Sequence, residues 1–320
     1  MANSHEGDFV IAKKIIEKAS NCKADGIKFQ RFTADELALP NHENYQLYQS
    51  LEMSDNAWKK LVIFAKSKKL QVFFDVFGLK TAKVVSKLNI DGIKIHSADL
   101  SNPVLLKFLS TFKKTILLST AGSYPYEIHE ALEYLQKTPK EIILMHGFQG
   151  YPTSINEMNL SRISELKQKF NLPVGIMDHL SGDSEFALIV PLLAISKGAN
   201  VIEKHITLDR SKKGLDYYSS LNPNEFRTLV SYIRKTESSF GKSNFSLSTN
   251  EKKYRLDHKK NTISKKLIKK NSKLTENLFD FKRTKTKKNS VHFFEYEKEF
   301  ASKDIKKQTI LTSDMITHNN

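Results

Sequence analysis

Short runs of β-branched and aromatic residues alternate with amphipathic stretches over the first three-quarters of the chain. The runs fall at 26–30, 72–77, 92–97, 115–120, 142–146, 174–179 and 201–207, each short enough for a strand. Between them apolar residues recur at helical spacing. Phe9, Ala12, Ile15, Ile16 and Ala19 make one face, Trp58, Leu61, Val62 and Ala65 a second, and Ile163, Leu166 and Phe170 a third. Asn222-Pro223 opens a last helix carrying Phe226, Leu229, Val230, Tyr232 and Ile233, because proline fits the first turn of a helix. Strands alternating with helices predict parallel βαβ units. Seven strands are one short of a (β/α)8 TIM-type barrel. The missing strand belongs ahead of the first helix, near Asn3-Ser4-His5, so the barrel is expected to lack strand one. An open doubly wound sheet is the alternative, but its G-x-G-x-x-G turn is absent.

The pattern breaks at Gly241-Lys242-Ser243-Asn244. Strand-like pieces follow at 261–264, 277–281, 291–294 and 304–305. The organisation expected is a barrel over 1–240, a polar linker over 241–253, a small β-rich domain over 254–316 and a tail over 317–320. A domain that small is barely able to hold a core alone. No repeat of solenoid period is present.

Composition narrows the class. Of 320 residues, 39% are hydrophobic and 27% charged, which is globular, not disordered. The one cysteine, Cys22, excludes a disulfide framework and a four-cysteine zinc site. The first residues have neither a basic stretch nor an apolar core, so no signal peptide is expected. The apolar run 186–195 is too short for a membrane span, which needs about 20 residues. A soluble cytoplasmic protein is the expectation. The net charge of +16 is concentrated late: residues 246–320 hold nineteen Lys/Arg against nine Asp/Glu. That excess is nearly all lysine, whereas base-reading surfaces favour arginine. A solvated surface is therefore expected, with no nucleic-acid partner.

In a (β/α)8 barrel, chemistry sits at the C-terminal strand ends, and here those ends are polar. They carry Lys28 and Gln30, Asp75, then Lys94, Ser97 and Asp99, Ser119 and Thr120, His146 and Gln149, Asp178 and His179, and Glu203 and His205. Lys28 and Lys94 with nearby hydroxyls could hold a phosphate or carboxylate, or pair with Asp75 and Asp99, or reach solvent. His179 and His205 end adjacent strands. They could bind one divalent ion with positions left open, or be hydrogen-bonded rim histidines.

Several motifs occur in order: Asn3-Ser4-His5-Glu6-Gly7-Asp8, Ile27-Lys28-Phe29-Gln30, Lys94-Ile95-His96-Ser97-Ala98-Asp99 and Leu117-Leu118-Ser119-Thr120. They are followed by His146-Gly147-Phe148-Gln149-Gly150-Tyr151-Pro152, Asp178-His179, Val201-Ile202-Glu203-Lys204-His205, Gly214-Leu215-Asp216 and Ser220-Leu221-Asn222-Pro223. Together they resemble the sialic acid synthase (N-acetylneuraminate synthase) family, over essentially the whole chain. Residues 254–316 resemble, more loosely, that family's C-terminal antifreeze-like (SAF) domain. The resemblance implies condensation of phosphoenolpyruvate with an N-acylated amino-sugar aldehyde, giving a nonulosonic acid and phosphate. It implies that Lys28, Lys94, Ser97, Ser119 and Gln149 hold phosphoenolpyruvate. It places Tyr151, Asp216 and Arg283 on the sugar, Arg283 from the neighbouring subunit of a domain-swapped homodimer. It makes His179 and His205 ligands of Mn²⁺ or Mg²⁺, and Asp99, His179 and His205 the catalytic set.

Three departures stand out. The family has an Ala-Glu-Ile strand just ahead of Asn3, and its Glu helps bind substrate; here Met1 and Ala2 precede Asn3. A start placed too late and an inactive truncated copy are the two accounts. Asp75 stands where the family often has a Ser-Thr-Pro-Phe run, and a carboxylate facing phosphate would repel it. The segment after Lys282-Arg283 reads Thr284-Lys285-Thr286, without the usual Pro-Gly. The alternatives to the synthase are a non-catalytic paralogue that binds a sugar or anion, and a polyanion-binding lysine-rich tail.

Overall fold

Eight parallel strands, hydrogen-bonded in chain order, form the frame of this computed structural model. It describes residues 1–148, 150–242, 244–285 and 290–317, and the chain divides into two compact units, Met1–Gly241 and Lys242–Asn320.

In the first unit the strands are β1 (Gly26–Arg31), β2 (Gln71–Val76), β3 (Gly92–Ile95), β4 (Thr115–Ser119), β5 (Ile142–His146), β6 (Val174–Asp178), β7 (Val201–Ile206) and β8 (Ser220–Leu221). The helices are α1 (Phe9–Asn21), α2 (Ala34–Leu37), α3 (Tyr45–Leu51), α4 (Asp55–Ser67), α5 (Leu79–Val85), α6 (Pro103–Leu109), α7 (Pro125–Leu135), α8 (Ser161–Phe170), α9 (Phe186–Ser196) and α10 (Pro223–Ser239). Local chemistry starts them. The Asp8 carboxylate accepts from the amides of Val10 and Ile11 at α1, Ser54 caps α4, and Asn222 and Glu225 form a capping box around Pro223 at α10. The period-two alternation of each strand then divides its side chains. Ile27, Phe29, Val72, Phe74, Ile93, Ile95, Ile116, Leu118, Leu144 and Ile176 join the helices in the main core. The alternate residues Phe73, Leu117, Ile143, Met145, Met177 and Val201 form a separate apolar floor inside the curled sheet.

All seven expected strands are present, and the sheet is parallel. The eighth strand differs in position from the expectation. It is Ser220–Leu221, paired with His205 and Ile206, a two-residue element too short to show any periodicity. The segment ahead of α1 forms turns. The Met1 amine donates to the Lys28 carbonyl at 3.1 Å, and the Asn3 amide donates to the Asp216 carboxylate at 2.6 Å. No strand pairing among the described residues joins β8 to β1. Beside the open edges lies a cavity of about 700 Å³. Gly26–Lys28 and Val201–Ile206 line it, together with Ala19 of α1 and Phe226, Leu229 and Ile233 of α10.

The second unit holds α11 (Thr249–His258), β9 (Asn261–Ser264), β10 (Phe279–Lys282), α12 (Phe293–Tyr296), β11 (Phe300–Ala301) and β12 (Ile316–Thr317). Strands β9 and β10 pair antiparallel, as do β11 and β12. Ile268, Leu274, Phe279, Val291, Tyr296, Ala301, Ile305, Leu311 and Ile316 make its own core. Ser248 and Glu251 cap a helix that begins inside the stretch 241–253, where a polar linker is expected. The aromatic run 291–294, strand-like by propensity, leads into a helical turn that buries Tyr296 against Phe279, with ring centroids 5.1 Å apart.

Candidate active site

The site is built on the apolar floor. Above it, the inward positions of β1, β2, β3 and β7 are charged. Lys28 Nζ lies 3.0 Å from Asp75 Oδ2 and 3.3 Å from Glu203 Oε1. Lys94 Nζ lies 3.6 Å and 2.9 Å from the same two oxygens. The result is a square of alternating charge, in which Asp75 is fully buried and Lys94 is 2% exposed. Burial alone would lower the Lys28 ammonium pKa, but Asp75 and Glu203 together hold it above its ordinary value. Burial would raise both carboxylates, and the two lysines instead hold Asp75 and Glu203 below the usual range. Lys28, Asp75 and Glu203 are therefore charged at neutral pH. One oxygen of each carboxylate, Asp75 Oδ1 and Glu203 Oε2, is buried without a hydrogen-bond partner.

Beside this square stand His179 and His205, their rings perpendicular and 5.1 Å apart. Burial lowers the pKa of His179 to about 4 and that of His205 well below its ordinary value, so both imidazoles are neutral. The Phe148 carbonyl lies 2.8 Å from His179 Nδ1. A carbonyl only accepts, so Nδ1 carries the proton and Nε2 keeps a lone pair. His205 Nδ1 is buried without a partner. Two neutral imidazoles with free nitrogen lone pairs fit a weakly held, exchangeable divalent ion that draws its other ligands from water or substrate. No group of three or more His, Cys, Asp or Glu among the described residues could form a fuller set. The Tyr151 ring lies 4.7 Å from the His179 ring and 6.3 Å from that of His205.

The sequence-derived residues divide. Lys28, Lys94, His179, His205 and Tyr151 come together in this lumen. Ser119 is buried beside it, its Oγ 3.5 Å from Met177 Sδ. Asp216 sits in the loop after β7, its carboxylate accepting from the Asn3 amide; burial raises its pKa. Ser97 and Asp99 form the turn after β3. The Asp99 carboxylate accepts from Asn102 Nδ2 at 2.7 Å, and burial raises its pKa. Arg283 belongs to the second unit and donates from Nε to the His258 carbonyl at 3.1 Å. Gln149 lies outside the described residues.

Three strand-end polar residues are not part of the lumen. His146 Nε2 contacts the Met158 carbonyl at 2.9 Å. Asp178 and Lys204 make a buried ion pair of 3.0 Å. Each alternates with an inward neighbour, so each faces the helices. Glu203 is the reverse case: it stood among the polar ends with no role, and the fold makes it half of the lysine partnership. Its inward parity, two residues before His205, was the signal available in the sequence.

The NeuB family profile matches residues 15–245. An uncharacterized protein of Methanocaldococcus jannaschii is 34% identical over 88% of this chain and 82% of its own length. The N,N'-diacetyllegionaminic acid synthase of Campylobacter jejuni is 31% identical and covers 96% of both chains. The crystal structure of the N-acetylneuraminic acid synthetase of Leptospira borgpetersenii, in complex with citrate, superposes with a TM-score of 0.74. It is 29% identical and covers 79% of this chain and 88% of its own. On the family profile and these relatives, the chain belongs to the NeuB family, that of the sialic acid synthases.

Proposed function

We propose that this protein condenses phosphoenolpyruvate with an N-acylated amino-sugar aldehyde, giving a nonulosonic acid and inorganic phosphate. The observation that carries this reading is the Lys28/Lys94 ammonium pair set deep in the lumen beside two neutral imidazoles. An anion with two charged ends needs such a pair, and burial makes each ammonium contact stronger than it would be in bulk water. Lys28 and Lys94 would hold the phosphate and carboxylate oxygens, with Ser119 at the wall. Tyr151 and Asp216 would place the sugar over the bound enol. A divalent ion held by His179 and His205 would supply Lewis-acid polarisation of the aldehyde oxygen.

The enol carbon forms the new C–C bond with the aldehyde carbon, whose oxygen takes a proton. Water then adds at the carbon that carries the phosphate, its oxygen becoming the keto oxygen and its two protons balancing the one taken by the new hydroxyl and the one that leaves with phosphate. The C–O bond to phosphate breaks, the lysines stabilise the departing charge, and a keto group remains. Holding both substrates in register provides much of the acceleration.

The test is phosphate release from phosphoenolpyruvate with Mn²⁺ or Mg²⁺ and a panel of N-acylated amino sugars. Sugar-dependent release abolished by EDTA and restored by metal is the expected result. Release that ignores the sugar, or none with any of them, would overturn the reading.

A further inference from the structure

Asp75 has no place in the chemistry above, and its position is unusual. It is fully buried on an inward position of the strand between the two lysine-bearing strands. It is the register partner of Lys94 on β3, while Gln30, two residues beyond Lys28, is its register partner on β1. One oxygen, Oδ2, serves both ammonium groups, at 3.0 and 3.6 Å. The other, Oδ1, is buried without a partner. Glu203 repeats the arrangement from the far side.

An ammonium has three donors. One on each lysine is hydrogen-bonded to a carboxylate, Lys28 to Asp75 and Lys94 to Glu203, which leaves donors on each for a ligand. The square is formally neutral. An incoming anion therefore gains two ammonium contacts against the repulsion of two carboxylates lying just behind them. We propose that Asp75 is a positioning residue which aims Lys28 and Lys94 and, by cancelling part of their charge, keeps the phosphate product weakly held so that it leaves. This inference rests on the anion-seat reading above.

The experiment uses the full chain and inorganic phosphate as the probe. Titration calorimetry at fixed ionic strength compares wild type with Asp75→Asn, which keeps the shape and removes the charge. Phosphate should bind roughly tenfold more tightly in the variant, a change of about 1.4 kcal/mol. Product inhibition by phosphate should strengthen by a similar factor. KM for phosphoenolpyruvate and kcat should fall together, while KM for the sugar stays unchanged. A merely structural role would not tighten binding while slowing turnover. If Asp75→Asn does not fold, Asp75→Ser carries the same measurement, since it also removes the charge and leaves room for a water. Equal or weaker phosphate binding in the folded variant overturns this inference alone. Absence of phosphate and phosphoenolpyruvate binding in wild type overturns the anion seat itself.

Discussion

Lys94 is the residue on which the anion seat depends. Its ammonium spans both carboxylates from a position that is 2% exposed. Lys94→Met keeps the stem's volume and removes the charge. It should lower kcat/KM for phosphoenolpyruvate about a hundredfold, the order seen when a single transition-state donor is lost, with the sugar KM little changed. Steady-state kinetics with each substrate varied checks this. A second residue-scale case lies outside the lumen. The Lys204–Asp178 pair is almost completely buried. Lys204→Ala strands a buried carboxylate and should cost about 3–5 kcal/mol, whereas replacing both partners with apolar residues should cost less. A double-mutant cycle by urea denaturation separates the two.

His5 gives a pH dependence whose sign follows from its surroundings. Its Nδ1 accepts from the Gly7 amide, and its ring stands edge-on to Trp58. Burial lowers its pKa from 6.5 to about 4. The unfolded chain therefore takes up the proton first. Stability is complete above pH 6.5 and falls as the pH drops toward about 4, by on the order of 3 kcal/mol from this group. His5→Gln should shallow the decline in denaturation midpoint across that window; an unchanged slope would show that His5 is not its source.

At the scale of elements, caps and alternation matter most. Asn222 caps α10 and its Oδ1 also accepts from the Arg210 amide at 2.8 Å. Asn222→Ala should cost about 1 kcal/mol for the cap and somewhat more for the lost loop bond, read from the melting midpoint. The strands of the parallel sheet were legible because a buried parallel strand is a short, nearly continuous apolar run. The same feature hid the inside from the outside. In Val174–Asp178 and Ile142–His146 every residue is buried, so hydropathy alone does not tell Met177 from Ile176. Parity does: counted from His179 or His205, it separates Glu203 from Lys204 and leaves Asp178 facing the helices. Strand β8 carries no such signal, because two residues have no period. The run 291–294 reads as strand-like because a valine and two phenylalanines raise β-propensity, and what decides the turn is the burial of Tyr296.

For the whole molecule, the boundary between the units is open to a direct test. Phe245 is fully exposed and Leu247 is exposed, in a stretch without regular structure ahead of α11. Brief proteolysis by chymotrypsin should cut there first and yield a fragment ending near the boundary at Gly241. Early cuts within 26–206 instead would contradict the compactness of the first unit.

The first seven strands and their alternation with helices, the parallel sheet, the candidate lysines and histidines and the family resemblance were determined by the sequence itself. They depend on local periodicity, strand-end positions and motif spacing, which a linear chain displays. Tertiary structure alone decided which polar residues share a space. Asp75 and Glu203 are 128 positions apart in the chain; the sequence offers Asp75 as one alternative partner of the lysines and gives no sign that Glu203 is the other. Curling the sheet brings the inward positions of β1, β2, β3 and β7 around one lumen. There, burial removes water from four charges at once, and each ammonium becomes the solvent of two carboxylates.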